Sequence, residues 1–240
     1  MSLVIQSISE EIENRYIIYD AQLAGQLSAD WFVADYWRNH GQLQAVNAGR
    51  GQAWFVSAGN QQYVLRHYRR GGLAAKISTD RYVWSGLDRT RAWREYQILV
   101  KLQALSLPAP RPVGAHVVRH GAFYTADILT VTLPDCESLS RNLQAHALPE
   151  NQWREIGKCI RRFHEHDIYH ADLNAHNILL DQAGQVYVID FDKSRIDQDH
   201  SWHPLTLQRL HRSLRKLQNQ HAHFNFSDKD WQALQAGYTG

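Results

Sequence analysis

The stretch HADLNAHNILLD, residues 170–181, sets five polar side chains directly before an apolar run. His170, Asp172, Asn174, His176 and Asn177 precede Ile178, Leu179 and Leu180. Upstream, IRRFHEHDIYHAD reads as a helix that breaks near Asp167 and runs into this stretch. Downstream, NILLD and QVYVID read as two short strands joined by the turn QAG. A polar turn before a plain core hairpin accounts for the composition. It does not account for the spacing: five positions from Asp172 to Asn177, then thirteen to Asp190 at the end of the second strand.

That spacing matches the kinase catalytic-loop pattern His-x-Asp-x-x-x-x-Asn, followed by a metal-binding Asp after a short strand. Phosphoryl transfer needs a carboxylate near the acceptor hydroxyl and oxygen ligands for the Mg²⁺ that bridges the nucleotide phosphates. Asp172 is the candidate for the hydroxyl proton. Asn177 offers a neutral amide oxygen and Asp190 a charged one to the metal, and a hairpin of the two strands brings both to one end. His170 is expected to brace the loop rather than act as a base. His176 faces either substrate or solvent. His164 and His166 read as surface histidines near a helix end rather than as zinc ligands.

Working back along the chain, LQAVNAG, QAWFVSAG and QQYVLRHYR read as three short strands, with SAGNQQ as a hairpin turn between the last two. NAGRGQAWF places Gly49 and Gly51 as a G-x-G between the first two strands, where a phosphate loop belongs; Trp54 stands where a third glycine is usual. The third strand carries Arg66 where a kinase lysine is expected, with Lys76 an alternative beyond the strand. Arginine keeps the charge but changes the geometry. RAWREYQILVKLQAL has apolar residues at helical spacing, and its Glu95 is placed to pair that cation. LPAPRP ends the helix, and PVGAHVVRHGAFYTADILTVT reads as a two-stranded hairpin. After QVYVID the triplet is Asp190-Phe191-Asp192, without the glycine of a flipping activation segment, and no APE follows. The chain beyond it is too short for a protein-substrate platform, so the acceptor is expected to be a small or lipid-linked hydroxyl.

The fold class expected is α+β: a protein-kinase-like two-lobed fold with a β-rich N-lobe and a mainly helical C-lobe. Residues 1–43 form an extension that covers the N-lobe, 44–132 the nucleotide-binding N-lobe, and 133–240 the C-lobe with the catalytic loop. An apolar content of 44% supports a real core. A net charge of only +2 gives no reason to expect nucleic acid. Cys136 and Cys159 lack metal-ligand spacing and read as reduced thiols of a cytosolic protein. The first residues turn acidic at once, unlike a signal peptide, and no window reaches the roughly 18 apolar residues of a membrane span. Between Arg66 and Arg94 eight cationic side chains face two acidic ones, a surface suited to an acidic acceptor or anionic headgroups. HPLTLQRLHRSLRKLQ carries Leu207, Leu210, Leu214 and Leu217 among basic residues, a stripe for the C-lobe core or for a membrane surface.

Taken together, NAGRG, VLRHYRRGGL, TRAWREYQIL, LPAPRPVGA, HADLNAHNILLD, VIDFDKSR and LQRLHRSLRKL resemble the 3-deoxy-D-manno-octulosonic acid (Kdo) kinases of Gram-negative bacteria. The resemblance spans about residues 46–217. It implies an ATP-dependent sugar kinase that phosphorylates the Kdo 4-hydroxyl of Kdo-lipid IVA in lipopolysaccharide inner-core biosynthesis. It also implies peripheral attachment to the cytoplasmic face of the inner membrane; it implies no protein partner. The alternatives are a heptose or aminoglycoside-type phosphotransferase and a non-catalytic pseudokinase. The last is motivated by Arg66, Asp192 and the missing third glycine.

Overall fold

The computed structural model describes residues 5–24, 27–48, 52–69 and 80–240. The chain divides into two compact units, residues 1–106 with 110–132, and residues 107–109 with 133–240.

The first unit contains β1 (Ser7–Ile12), β2 (Arg15–Asp20), α1 (Ala21–Ala24), α2 (Ala34–Asn39), β3 (Leu43–Ala48), β4 (Gln52–Ala58), β5 (Gln61–His67), β6 (Tyr82–Val83), α3 (Arg91–Ala104), β7 (Pro112–His120) and β8 (Phe123–Val131). The strands form one antiparallel sheet in the order β1-β2-β7-β8-β5-β4-β3, with β6 also paired to β8. Gly59 turns the chain between β4 and β5 at φ 58°, a conformation that favours glycine. On β5, Tyr63 and Leu65 are buried and Arg66 is half-buried, so the two-residue period puts Arg66 on the face away from that core.

Residues 7–20 extend the sheet. The fully buried Asp20 at the end of β2 accepts two bonds from Arg111, from Nε at 3.0 Å and Nη2 at 2.6 Å. Phe32 and Trp37 join Ile17, Tyr19, Leu65 and Leu129 in the core of this unit. Gly114 of β7 leaves room for the Phe32 ring, which a Cβ there would meet at 3.1 Å. Helix α3 buries Trp93, Tyr96, Leu99 and Leu102 along one stripe and packs against β7 and β8.

The second unit contains β9 (Glu137–Ser138), α4 (Leu139–Ala145), α5 (Glu150–Glu165), β10 (Ile168–Tyr169), β11 (Ile178–Leu180), β12 (Val186–Val188), β13 (Arg195–Ile196), α6 (His203–Gln220) and α7 (Asp228–Thr239). β11 lies between β12 and β9, while β10 pairs with β13. Helix α5 buries Trp153, Ile156, Ile160 and Phe163. It crosses α7 where Gly157 and Gly237 let the two backbones touch. On α6, Leu210, Leu214 and Leu217 are buried, so this stripe belongs to the core and not to a membrane surface. Among the described residues, no helix is long and apolar enough to cross a membrane.

His164 corrects its reading as a surface histidine. Only 3% of it is exposed; its Nδ1 lies 2.8 Å from the Tyr238 hydroxyl and its ring stacks on His203. Helical periodicity places it on the stripe beside Phe163 that packs toward α7. Burial, then repulsion from His203 and His170, pushes its pKa down to about 3. An unfolded chain takes up this proton near pH 6.5, while the folded chain refuses it. Stability is therefore full above pH 6.5 and falls as pH drops from there toward 3. The expected loss through His164 between pH 7 and 5 is about 2 kcal/mol. Urea unfolding at both pH values checks it. His164→Phe should be less acid-sensitive by about that amount, and an unchanged pH slope in the variant would contradict the assignment.

Candidate active site

Helix α5 ends at Glu165, and the chain reverses at Asp167 with φ 61°. A non-glycine residue holds that angle when its surroundings fix it. Here the Asp167 carbonyl accepts the Asp197 N–H at 2.8 Å, and its Oδ1 lies 2.8 Å from His200 Nε2. The chain then passes through β10 into the loop.

His170 is buried and locks the loop to the strand that follows it. Its Nε2–H donates to the Ile189 carbonyl at 3.0 Å, and its Nδ1 accepts the Asp172 N–H at 3.2 Å. Both bonds hold only for the neutral ring with its proton on Nε2. Burial favours that form by pushing the pKa down. The ring acts as a brace, with no nitrogen left for acid–base work.

The main chain of Asp172 is equally committed. Its carbonyl accepts from Asn174 Nδ2 at 3.0 Å and from Asn177 Nδ2 at 2.9 Å. Its carboxylate is 62% exposed, and among the described residues the cation paired with it is Arg209, with Nη1 3.6 Å from Oδ1. The loop thus builds its structure from the backbone of Asp172 and leaves the side chain facing outward. Because Asn177 spends its amide N–H on that carbonyl, its Oδ1 is the group left for another ligand. The Asn177 carbonyl accepts the Ile189 N–H at 2.9 Å, which ties the loop to the residue before Asp190. Ala175 fixes the loop from two sides: its N–H donates to Ser213 Oγ at 3.3 Å, and its carbonyl accepts the Ser140 N–H at 2.9 Å.

β11 pairs with β12 in the register Ile178 to Val188, so Asn177 and Asp190 emerge at the same end of this hairpin. Asp190 has φ 65°, again left-handed and non-glycine. Such strain gathers at functional sites and persists where packing fixes it. The anchor is the next residue: Phe191 is 1% exposed, stacks on Phe163 at 5.7 Å and meets the His170 ring edge-on at 4.9 Å.

In the first unit, Arg66 Nη2 lies 2.5 Å from both carboxylate oxygens of Glu95. Glu95 is 4% exposed and also accepts the Tyr68 hydroxyl proton. The arginine therefore occupies the strand position facing a helix glutamate. Gly49, Gly51 and Lys76 lie outside the described residues, as do Arg70, Gly71 and Gly72 of the basic run. Sequence reasoning missed two neighbours of the site. Tyr68 carried a signal, since it lies two residues from Arg66 on one strand direction. Arg209 carried none, because only the packing of α6 brings it to Asp172.

Comparison with known proteins shows the family. The Lipopolysaccharide kinase (Kdo/WaaP) family matches residues 34–238. The chain is 38% identical over 226 residues to the 3-deoxy-D-manno-octulosonic acid kinase of Photobacterium profundum, covering 94% of this chain and 95% of that protein. It is 41% identical over 224 residues to the protein of that name from Xylella fastidiosa, covering 92% of this chain and 88% of the relative. A third, from Haemophilus influenzae, is 36% identical over 234 residues, 94% of this chain and 97% of its own. An antiparallel sheet followed by a helix-rich unit is the kinase-like α+β arrangement that such a match requires. Matched over most of its length, the chain belongs to the lipopolysaccharide kinase (Kdo/WaaP) family.

Proposed function

We propose that the chain transfers the γ-phosphoryl group of ATP to the 4-hydroxyl of Kdo on Kdo-lipid IVA, with Mg²⁺, at the cytoplasmic surface of the inner membrane. The observation that carries this reading is the division of labour at Asp172. Its backbone holds the loop while its carboxylate, 62% exposed, is presented for an incoming hydroxyl. Asp172 takes the hydroxyl proton as the acceptor oxygen bonds to the γ-phosphorus; the bond from that phosphorus to the bridging oxygen breaks, and ADP leaves.

Asn177 and Asp190 fit Mg²⁺ by the chemistry of their donors: a fixed amide oxygen and a carboxylate at one hairpin end. Among the described residues, no group of three or more His, Cys, Asp or Glu side chains forms a cage of its own. A nucleotide-borne Mg²⁺ asks for little more than one or two protein oxygens. When bound, the ion neutralises phosphate charge. Arg66, paired with Glu95, is the candidate cation for the nucleotide phosphates, and Gly49 and Gly51, outside the described residues, are the candidates for the phosphate loop. The family relatives named as Kdo kinases and the basic run after Arg66 support an acidic, lipid-linked acceptor.

The test is acceptor choice. With ATP and Mg²⁺, Kdo-lipid IVA should gain phosphate, whereas lipid IVA without Kdo, heptose-bearing core fragments and aminoglycosides should not. Transfer to heptose or an aminoglycoside in place of Kdo would overturn the reading. Removal of Mg²⁺ by chelation should stop turnover, and its return should restore it.

A further inference from the structure

Helix α6 runs beside the catalytic loop, and one of its faces carries two cations. Arg209, Ser213 and Lys216 recur at helical spacing. Arg209 stands by Asp172, Ser213 holds Ala175, and the charge of Lys216 acts on His176. Arg209 is 45% exposed, and 3.6 Å from its Nη1 to Asp172 Oδ1 is too long for a hydrogen bond. Among the described residues, no acceptor is bonded to its N–H groups. A planar fork of donors thus stands half-exposed, with no hydrogen bond of its own, beside the carboxylate that receives the acceptor hydroxyl.

We infer that Arg209 is a specificity residue that grips the acceptor's own carboxylate. This rests on the function proposed above, in which the acceptor is a sugar acid. The acid carbon of Kdo is three bonds from the carbon that carries the reacting hydroxyl. A hydroxyl seated on Asp172 therefore brings that carboxylate within reach of a guanidinium beside the same aspartate. Guanidinium and carboxylate meet through two parallel charge-assisted bonds, which fix orientation as well as affinity. Lys216 and His176 extend the same rim. Neutral sugars offer Arg209 no carboxylate for the paired charge-assisted bonds, so the residue separates this acceptor from neutral hydroxyls of similar size.

The test compares wild type and Arg209→Ala on Kdo-lipid IVA and on its Kdo methyl ester, with kcat and KM measured for each acceptor and for ATP. Wild type should lose at least about tenfold in kcat/KM on the ester. Arg209→Ala should lose about as much on the acid, mostly through acceptor KM, and should treat acid and ester alike within about twofold. Arg209→Lys should fall between, since it keeps the charge and loses the fork. A variant that retains the full preference for the acid overturns the assignment. So does an equal fall in kcat on both acceptors, which would place Arg209 on the travelling phosphate instead. Wild-type turnover on the acid form reports separately on the underlying function: its absence would remove that reading and this one with it.

Discussion

Replacing Asp172 by alanine is expected to lower turnover by about 10²–10⁴-fold, the range for removing a positioned general base. Folding stability should stay within about 0.5 kcal/mol of wild type. Both halves follow from one geometry. The bonds that shape the loop run through the Asp172 N–H and carbonyl, to His170, Asn174 and Asn177, and alanine keeps those groups. The carboxylate itself is 62% exposed and pairs with Arg209 only at 3.6 Å. Exposed pairs of this kind contribute between nothing and about 1 kcal/mol. Steady-state kinetics with denaturant unfolding on the same preparation checks the pair of outcomes. Activity near wild type would remove Asp172 from the reaction. Loss of activity together with several kcal/mol of stability would make it a structural residue.

The second large effect is structural. Gly157→Ala should destabilise the protein by about 2 kcal/mol or more, although alanine is the better helix former. Propensity favours alanine over glycine in a helix by about 1 kcal/mol. Against that, a Cβ at position 157 would lie 2.0 Å from the Leu234 carbonyl oxygen and 2.7 Å from the Tyr238 nitrogen. These are backbone atoms of α7 and cannot rotate aside. The helices must separate, and overpacking costs about 1–3 kcal/mol or more. Gly237 makes the reciprocal contact, its Cβ position being 2.1 Å from the Arg154 carbonyl oxygen. A lower unfolding midpoint at unchanged denaturant slope is the expected result. A gain in stability would mean that α5 and α7 do not touch here.

The parts of the fold that follow from local pattern were legible in the sequence. β3, β4, β5 and the β7–β8 hairpin show short apolar runs bounded by turn residues. Helix α3 shows its stripe, and HADLNAHNILLD shows its spacing. The β1–β2 hairpin was not legible, because SISEEI is exposed along its whole length and carries no alternation. Segment 16–40 carries little local pattern, because its aromatic residues, such as Phe32 and Trp37, are held by tertiary packing and not by a regular period. Helix α7 lacked a strong apolar stripe, since much of its contact with α5 is backbone on backbone at Gly237. That crossing also buries His164, which the sequence alone presents as a polar residue near a helix end. In the site, the loop residues were legible because they lie within one short stretch. The Arg66–Glu95 pair was legible only through the kinase pattern. Arg209 was not, since nothing local links helix α6 to Asp172.

The most direct measurement is the mass of Kdo-lipid IVA after incubation with ATP, Mg²⁺ and either wild-type protein or Asp172→Ala. The account predicts a gain of one phosphate with wild type, located on the Kdo residue by fragmentation, and no more than a trace with the variant. No gain with folded wild-type protein, or an equal gain with both proteins, would contradict it.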